Sequence, residues 1–94
     1  MNEPAIGAIC VSRAGRDKGR AFVIVGISDE QHVLLCDGET RKLSRPKKKK
    51  LMHCRVEPRR ADEIGRRVTE GKPLLDADVR KALNALGYNV YSNN

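Results

Sequence analysis

The stretch from Ile6 to Ile27 constrains this chain most, because two short apolar runs there flank a polar, glycine-containing loop. Ile6, Ile9, Cys10 and Val11 lead in, and Phe22, Val23, Ile24 and Val25 lead out. Between them stands Arg13-Ala14-Gly15-Arg16-Asp17-Lys18-Gly19-Arg20. Short runs rich in β-branched residues, separated by a turn-forming segment, predict two antiparallel strands. Gly15 and Gly19 lack a Cβ and accept positive φ, so the loop can approach another backbone closely. Flanked by Arg13, Arg16, Lys18 and Arg20, it can lie against a phosphate backbone. Equally, its charges can serve only to keep a hairpin soluble, and both readings stand at this point.

Further strands follow at a spacing of about ten residues, with turn signals between them. Strand one is expected over residues 5–12, with Gly7 marking a bend or a close backbone approach. Strand two is expected over 20–27 and strand three over 32–36, where Val33, Leu34 and Leu35 run continuously apolar as in a strand covered on both sides. Asp37-Gly38 is a hairpin signal, so strand four is expected over 40–43, with Leu43 inward, and at Pro46 it either ends or runs along an edge. Over 51–56, Met52, Cys54 and Val56 alternate with His53 and Arg55, a period of two that predicts strand five. Five short strands predict a mainly β fold, a small barrel spanning residues 1–57.

From Pro58 the period changes, and residues 58–94 read as a helical C-terminal extension. Ala61, Ile64, Gly65 and Val68 recur at helical spacing, with Gly71 as the C-terminal stop. Gly65 weakens that helix by about 1 kcal/mol relative to Ala. A second helix is expected with Asp76 as its cap, Asp78 in its first turn and Gly87 after its end. Its stripe of Val79, Ala82, Leu83 and Leu86 is expected to pack on the barrel and enlarge a thin core; a helix that docks on a partner is the alternative.

The formal net charge of +7 is unevenly placed. Residues 1–60 hold fourteen Lys and Arg against seven acids, whereas residues 61–94 hold five of each. A field of one sign on one module is the footprint of a nucleic-acid binder. Its densest part is Arg41, Lys42, Arg45 and the run Lys47-Lys48-Lys49-Lys50. The run falls between two predicted strands, so a loop is expected there, pinned by the fold near Arg13, Arg16 and Lys18. Aromatics are confined to Phe22, Tyr88 and Tyr91, too few to stack successive bases. Backbone and shape recognition of folded RNA or a duplex fits this composition better than base reading.

Other classes find less support. No run reaches the roughly 18 apolar residues of a membrane helix, no basic amphipathic helix suggests membrane-surface binding, and the N-terminus has no signal-peptide layout, so the cytoplasm is the expected compartment. Cys10, Cys36 and Cys54 lie far apart without a Cys-x-x-Cys pair, so with His32 or His53 they make a poor zinc set and read as core thiols. The acids sit at turns and helix starts, neither histidine has an evident acidic partner, and no nucleophile signature is present. Neither an enzyme, a cofactor, a metal nor a small-molecule substrate is expected.

Ile9-x-Val11-Ser12-x-Ala14-Gly15-Arg16-Asp17-Lys18-Gly19-Arg20-x-Phe22-Val23 resembles the KOW motif of ribosomal and transcription-elongation proteins. Asp37-Gly38-x-x-Arg41-Lys42-Leu43-x-x-Pro46-Lys47-Lys48 resembles its continuation in bacterial KOW-domain RNA-binding proteins related to large-subunit ribosomal proteins. The resemblance covers roughly Ile6 to Cys54. It implies an SH3-like barrel and ribosomal RNA as partner, with ribosomal proteins as further candidates, and maps the RNA-meeting loop to Arg13–Gly19. A KOW-type protein-interaction adaptor in transcription or translation complexes is the alternative.

Overall fold

The computed structural model describes residues 2–90; Tyr91 and the remainder of the 58–94 extension lie outside the described residues. Five strands form one antiparallel sheet: β1 (Ala8–Ser12), β2 (Ala21–Asp29), β3 (His32–Cys36), β4 (Lys47–Lys50) and β5 (Cys54–Arg60), in the order β4-β3-β2-β1-β5. A short 3₁₀ turn, Leu51–His53, joins the two end strands. Two helices follow, α1 (Asp62–Thr69) and α2 (Asp76–Ala85). The architecture is mainly β, a small barrel-like sheet with two C-terminal helices.

Alternation along the strands explains why β1 and β2 read as continuous apolar runs. Ala8, Cys10, Phe22, Ile24, Val33, Leu35 and Cys54 form one buried cluster inside the curl of the sheet. Ile9, Val11, Ala21, Val23 and Cys36 point the other way, into a second cluster closed by Ala61, Ile64, Val79 and Leu83. β1 and the first half of β2, residues 21–24, are thus buried on both faces, and neither face can be polar there. The helices carry the second face, with Ala82 and Leu86 packed against it at its margin. Among the described residues, no helix is long and apolar enough to cross a membrane.

Gly65, unfavourable for a helix by propensity, is required by packing. A Cβ there would lie 2.9 Å from the Cα of Gly7 and 2.9 Å from the carbonyl oxygen of Ile6. Gly7 itself has φ +94°, and its carbonyl accepts the Ala61 N–H at 2.8 Å. Backbone meets backbone here, locking the start of α1 to the entry of β1. Both helices end in the same left-handed motif: Lys72 N–H donates to the Arg67 carbonyl after Gly71, and Tyr88 N–H to the Leu83 carbonyl after Gly87.

Beside shifts of one to three residues at the ends of the first two strands, three boundaries differ from expectation. Residues 40–43 form no strand, because the Asp37 carboxylate takes the N–H groups of Glu39 (2.9 Å) and Arg41 (2.8 Å) that a ladder would need. Asp76 is the first residue of α2 and not its cap; its carboxylate instead accepts the Leu43 N–H at 2.7 Å, while Asp78 closes the helix start by accepting Leu75 N–H at 2.9 Å. Residues 51–53 turn before the last strand, leaving Met52 72% exposed, and that strand runs on through Pro58 to Arg60. A proline is tolerated there because β5 ends the sheet and one of its edges has no strand to donate to.

Candidate nucleic-acid interface

The loop between β1 and β2 is braced from within by its only acid. Asp17 Oδ1 accepts the Ser12 hydroxyl at 2.7 Å and the Lys49 ammonium at 2.9 Å, and Oδ2 accepts the Lys47 ammonium at 3.1 Å. Lys49 Nζ also donates to the Ala14 carbonyl at 2.9 Å. Burial works against ionisation of Asp17. The Ser12 hydroxyl and the two ammonium groups outweigh it and hold the carboxyl well below the usual carboxylate range. The backbone closes beneath: Gly19 N–H donates to the Ser12 carbonyl at 2.8 Å, and Gly15 and Gly19 take φ +82° and +88°. With its interior contacts satisfied by Asp17, the loop turns Arg13, Arg16 and Lys18 outward, all exposed.

The lysine run is a strand and not a loop. β4 pairs with β3 in the register Leu35↔Lys47, Leu34↔Lys48, Val33↔Lys49 and His32↔Lys50. A period of two therefore splits the run. Lys47 and Lys49 share the inward side with Leu35 and Val33, and both pair with the single carboxylate of Asp17; Lys49 is only 8% exposed. Lys48 and Lys50 face solvent. Two of the four lysines hold the glycine loop in place, and the other two stay available to an anion.

Arg20 is likewise committed. Its guanidinium pairs with Asp37 and Glu39, and Asp37 is fully buried. Burial opposes ionisation of Asp37, but Thr40, the two loop N–H groups and Arg20 more than compensate and lower its pKa. This carboxylate shapes the β3–β4 connection, on which Arg41, Lys42 and Arg45 are exposed. Arg16 and Arg41, from the two loops, meet with Asp17, Arg20, Thr40 and Lys47 around a cleft of about 360 Å³. On the β5 side, Arg13, Lys18 and Gly19 share a second cleft of about 470 Å³ with Arg55.

Of the thirteen positions expected to meet RNA, Arg13, Arg16, Lys18, Arg41, Lys42, Arg45, Lys48 and Lys50 are exposed and form no ion pair among the described residues. Gly15 and Gly19 shape the loop, and Arg20, Lys47 and Lys49 serve its internal ion pairs. Sequence reasoning passed over Asp17, whose signal was its position as the lone acid among the loop's cations, and Arg55, which only the β1–β5 pairing brings beside Arg13 and Lys18.

Other chemistry-bearing groups lie elsewhere. His32 does have an acidic partner, Asp29, at 2.9 Å across the tight β2–β3 turn, in an exposed hydrogen bond. Cys36 sits in the helix-facing cluster, and burial pushes its thiol up to about 11. Cys10 and Cys54 share the inner cluster, and their mutual hydrogen bond together with burial pushes Cys10 up. Among the described residues no group of three or more His, Cys, Asp or Glu is placed to hold a metal. The chain matches no protein-family model and no curated protein.

Proposed function

We propose that this chain is a non-catalytic RNA-binding protein of the KOW type that contacts ribosomal RNA or another structured RNA in the cytoplasm, as a ribosome-associated factor or an accessory ribosomal protein. The observation that carries this reading is the braced loop. Asp17, Ser12 and Lys49 satisfy its interior, so that Arg13, Arg16 and Lys18 project without an ion pair among the described residues, with Arg16 beside Arg41, on the module that holds the whole charge excess. Such a surface gains affinity by neutralising phosphates and releasing counterions. With its single Phe, Tyr or Trp side chain, Phe22, fully buried, the described barrel residues offer no run of aromatic rings on which successive bases could stack, which favours backbone and shape recognition.

Sedimentation of the tagged protein through sucrose gradients of cell lysate, at low and high salt, tests the reading. Migration with the large ribosomal subunit at low salt and release at high salt is expected; retention at high salt indicates an integral ribosomal protein. A protein that stays at the top at both salts refutes the ribosomal assignment. A protein-interaction adaptor is the second reading, favoured by a groove of about 490 Å³ whose lining includes Leu51, Cys54, Val56 and Pro58. Partner capture that survives nuclease treatment would support it.

A further inference from the structure

The two basic clefts flanking the glycine loop share no lining residue. One opens toward the β3–β4 connection and holds Arg16 and Arg41; the other opens toward β5 and holds Arg13 and Lys18. In the strand order, β3 and β5 lie on opposite sides of the β1–β2 pair, so the loop is a ridge with a cationic cleft on each flank. The ridge is two chains wide, about 5 Å between backbones, and is held closed by Ser12 N–H to the Arg20 carbonyl and Gly19 N–H to the Ser12 carbonyl. Asp17 sits inside it, and Lys49 anchors it from below.

A single extended phosphate chain can follow one flank of such a ridge. Filling both requires two chains running on either side of it, as the two strands of a duplex do across a groove. From this we infer that the glycine loop enters a groove of double-helical RNA and contacts one phosphate strand through Arg16 and Arg41 and the other through Arg13 and Lys18. This inference rests on the RNA-binding reading and specifies its partner as a duplex. Arg55, bonded to Glu57 at 2.8 Å, lines the second cleft and extends the β5-side contact. The wide, shallow minor groove of A-form RNA, lined by phosphates and 2′-hydroxyls, is the groove that a blunt polar ridge can enter without reading bases.

The test measures affinity against salt for a blunt-ended RNA duplex of mixed sequence and for one of its strands alone. The proteins compared are the intact chain, Arg16→Gln/Arg41→Gln, Arg13→Gln/Lys18→Gln and the fourfold variant. All four side chains are exposed, and circular dichroism checks that each variant is folded. Each contact contributes about 0.7–0.9 to the slope of log affinity against log salt. On the duplex, each double variant is expected to flatten the slope by about 1.5 and the fourfold variant by about 3. On the single strand, only one of the pairs should matter. If one pair leaves the duplex slope unchanged, or if both pairs matter equally on the single strand, the two-strand ridge is overturned while RNA binding stands. If the intact chain binds neither RNA in a salt-dependent way, the RNA-binding reading falls as well.

Discussion

Asp17→Asn should separate stability from charge. The wild-type carboxylate accepts three hydrogen bonds, two of them from ammonium groups, and the Lys49–Asp17 pair has side-chain exposures of only 8% and 14%. An amide keeps the shape but removes the charge, leaving the Lys49 ammonium enclosed with neutral acceptors, the Ala14 carbonyl and the amide oxygen, in place of a carboxylate. Stranding one member of a fully buried pair costs about 3–5 kcal/mol, and losing a hydrogen bond to a charged group about 1.5–3 kcal/mol. The half-exposed Lys47 side of the site reduces the loss, so about 2–4 kcal/mol is expected. For a domain this small, each kcal/mol shifts Tm by about 4–8 °C, so Tm should fall by roughly 10–25 °C. Thermal unfolding followed by circular dichroism at neutral pH reads this directly. Lys49→Met, which replaces the enclosed cation with an apolar chain, should cost less, and in the double variant the two losses should not add. A Tm within a few degrees of wild type for Asp17→Asn, or strict additivity in the double variant, would refute the bracing role.

Further outcomes follow from the same structure. Asp17 and Asp37 both have depressed carboxyl pKa values, so their stabilisation is present above the ordinary carboxylate pKa near 4 and is lost as pH falls below it; Asp17→Asn should flatten this acid limb of the stability curve. Gly65→Ala, which in an ordinary helix stabilises by about 1 kcal/mol, should instead destabilise by about 1–3 kcal/mol, because its Cβ meets the Gly7 backbone at 2.9 Å; denaturant midpoints check the sign. Asn89→Ala removes the two bonds that clamp the C-terminal segment to Ala21, at 3.0 and 2.8 Å, and should cost about 1–3 kcal/mol with faster amide exchange at Ala21.

What could be read from the sequence was what local chemistry decides. The first strand and the first half of the second announced themselves because both of their faces are buried, which leaves long apolar runs. β3 buries Val33 and Leu35 on one face but leaves Leu34 half-buried beside Lys48 on the other. The positive φ of Gly15 and Gly19 followed from the loop they punctuate. The lysine strand was illegible because nothing within Lys47–Lys50 favours a sheet. Its inward members are admitted by Asp17 and Ala14, thirty or more residues earlier in the chain. The same holds for residues 40–43. Asp37-Gly38 announces a turn, but whether a strand follows depends on the Asp37 carboxylate capturing N–H groups and on Asp76 taking that of Leu43. Gly65 read as a flaw until the Gly7 backbone stood against it. At the interface, composition located the charge, but only the register of β4 told the lysines that meet solvent from those that hold the loop.

That division is open to one direct measurement: the salt dependence of affinity for a structured large-subunit ribosomal RNA fragment, for the intact chain, Lys48→Gln/Lys50→Gln and Lys49→Gln, with Tm taken alongside. The predicted result is a steep slope for the intact chain, flattened by about 1.5 in Lys48→Gln/Lys50→Gln with Tm unchanged. Lys49→Gln, once folded at low temperature, should keep the slope and lose Tm. Binding that is absent or indifferent to salt, or a slope that depends on Lys49 and not on Lys48 and Lys50, would contradict it.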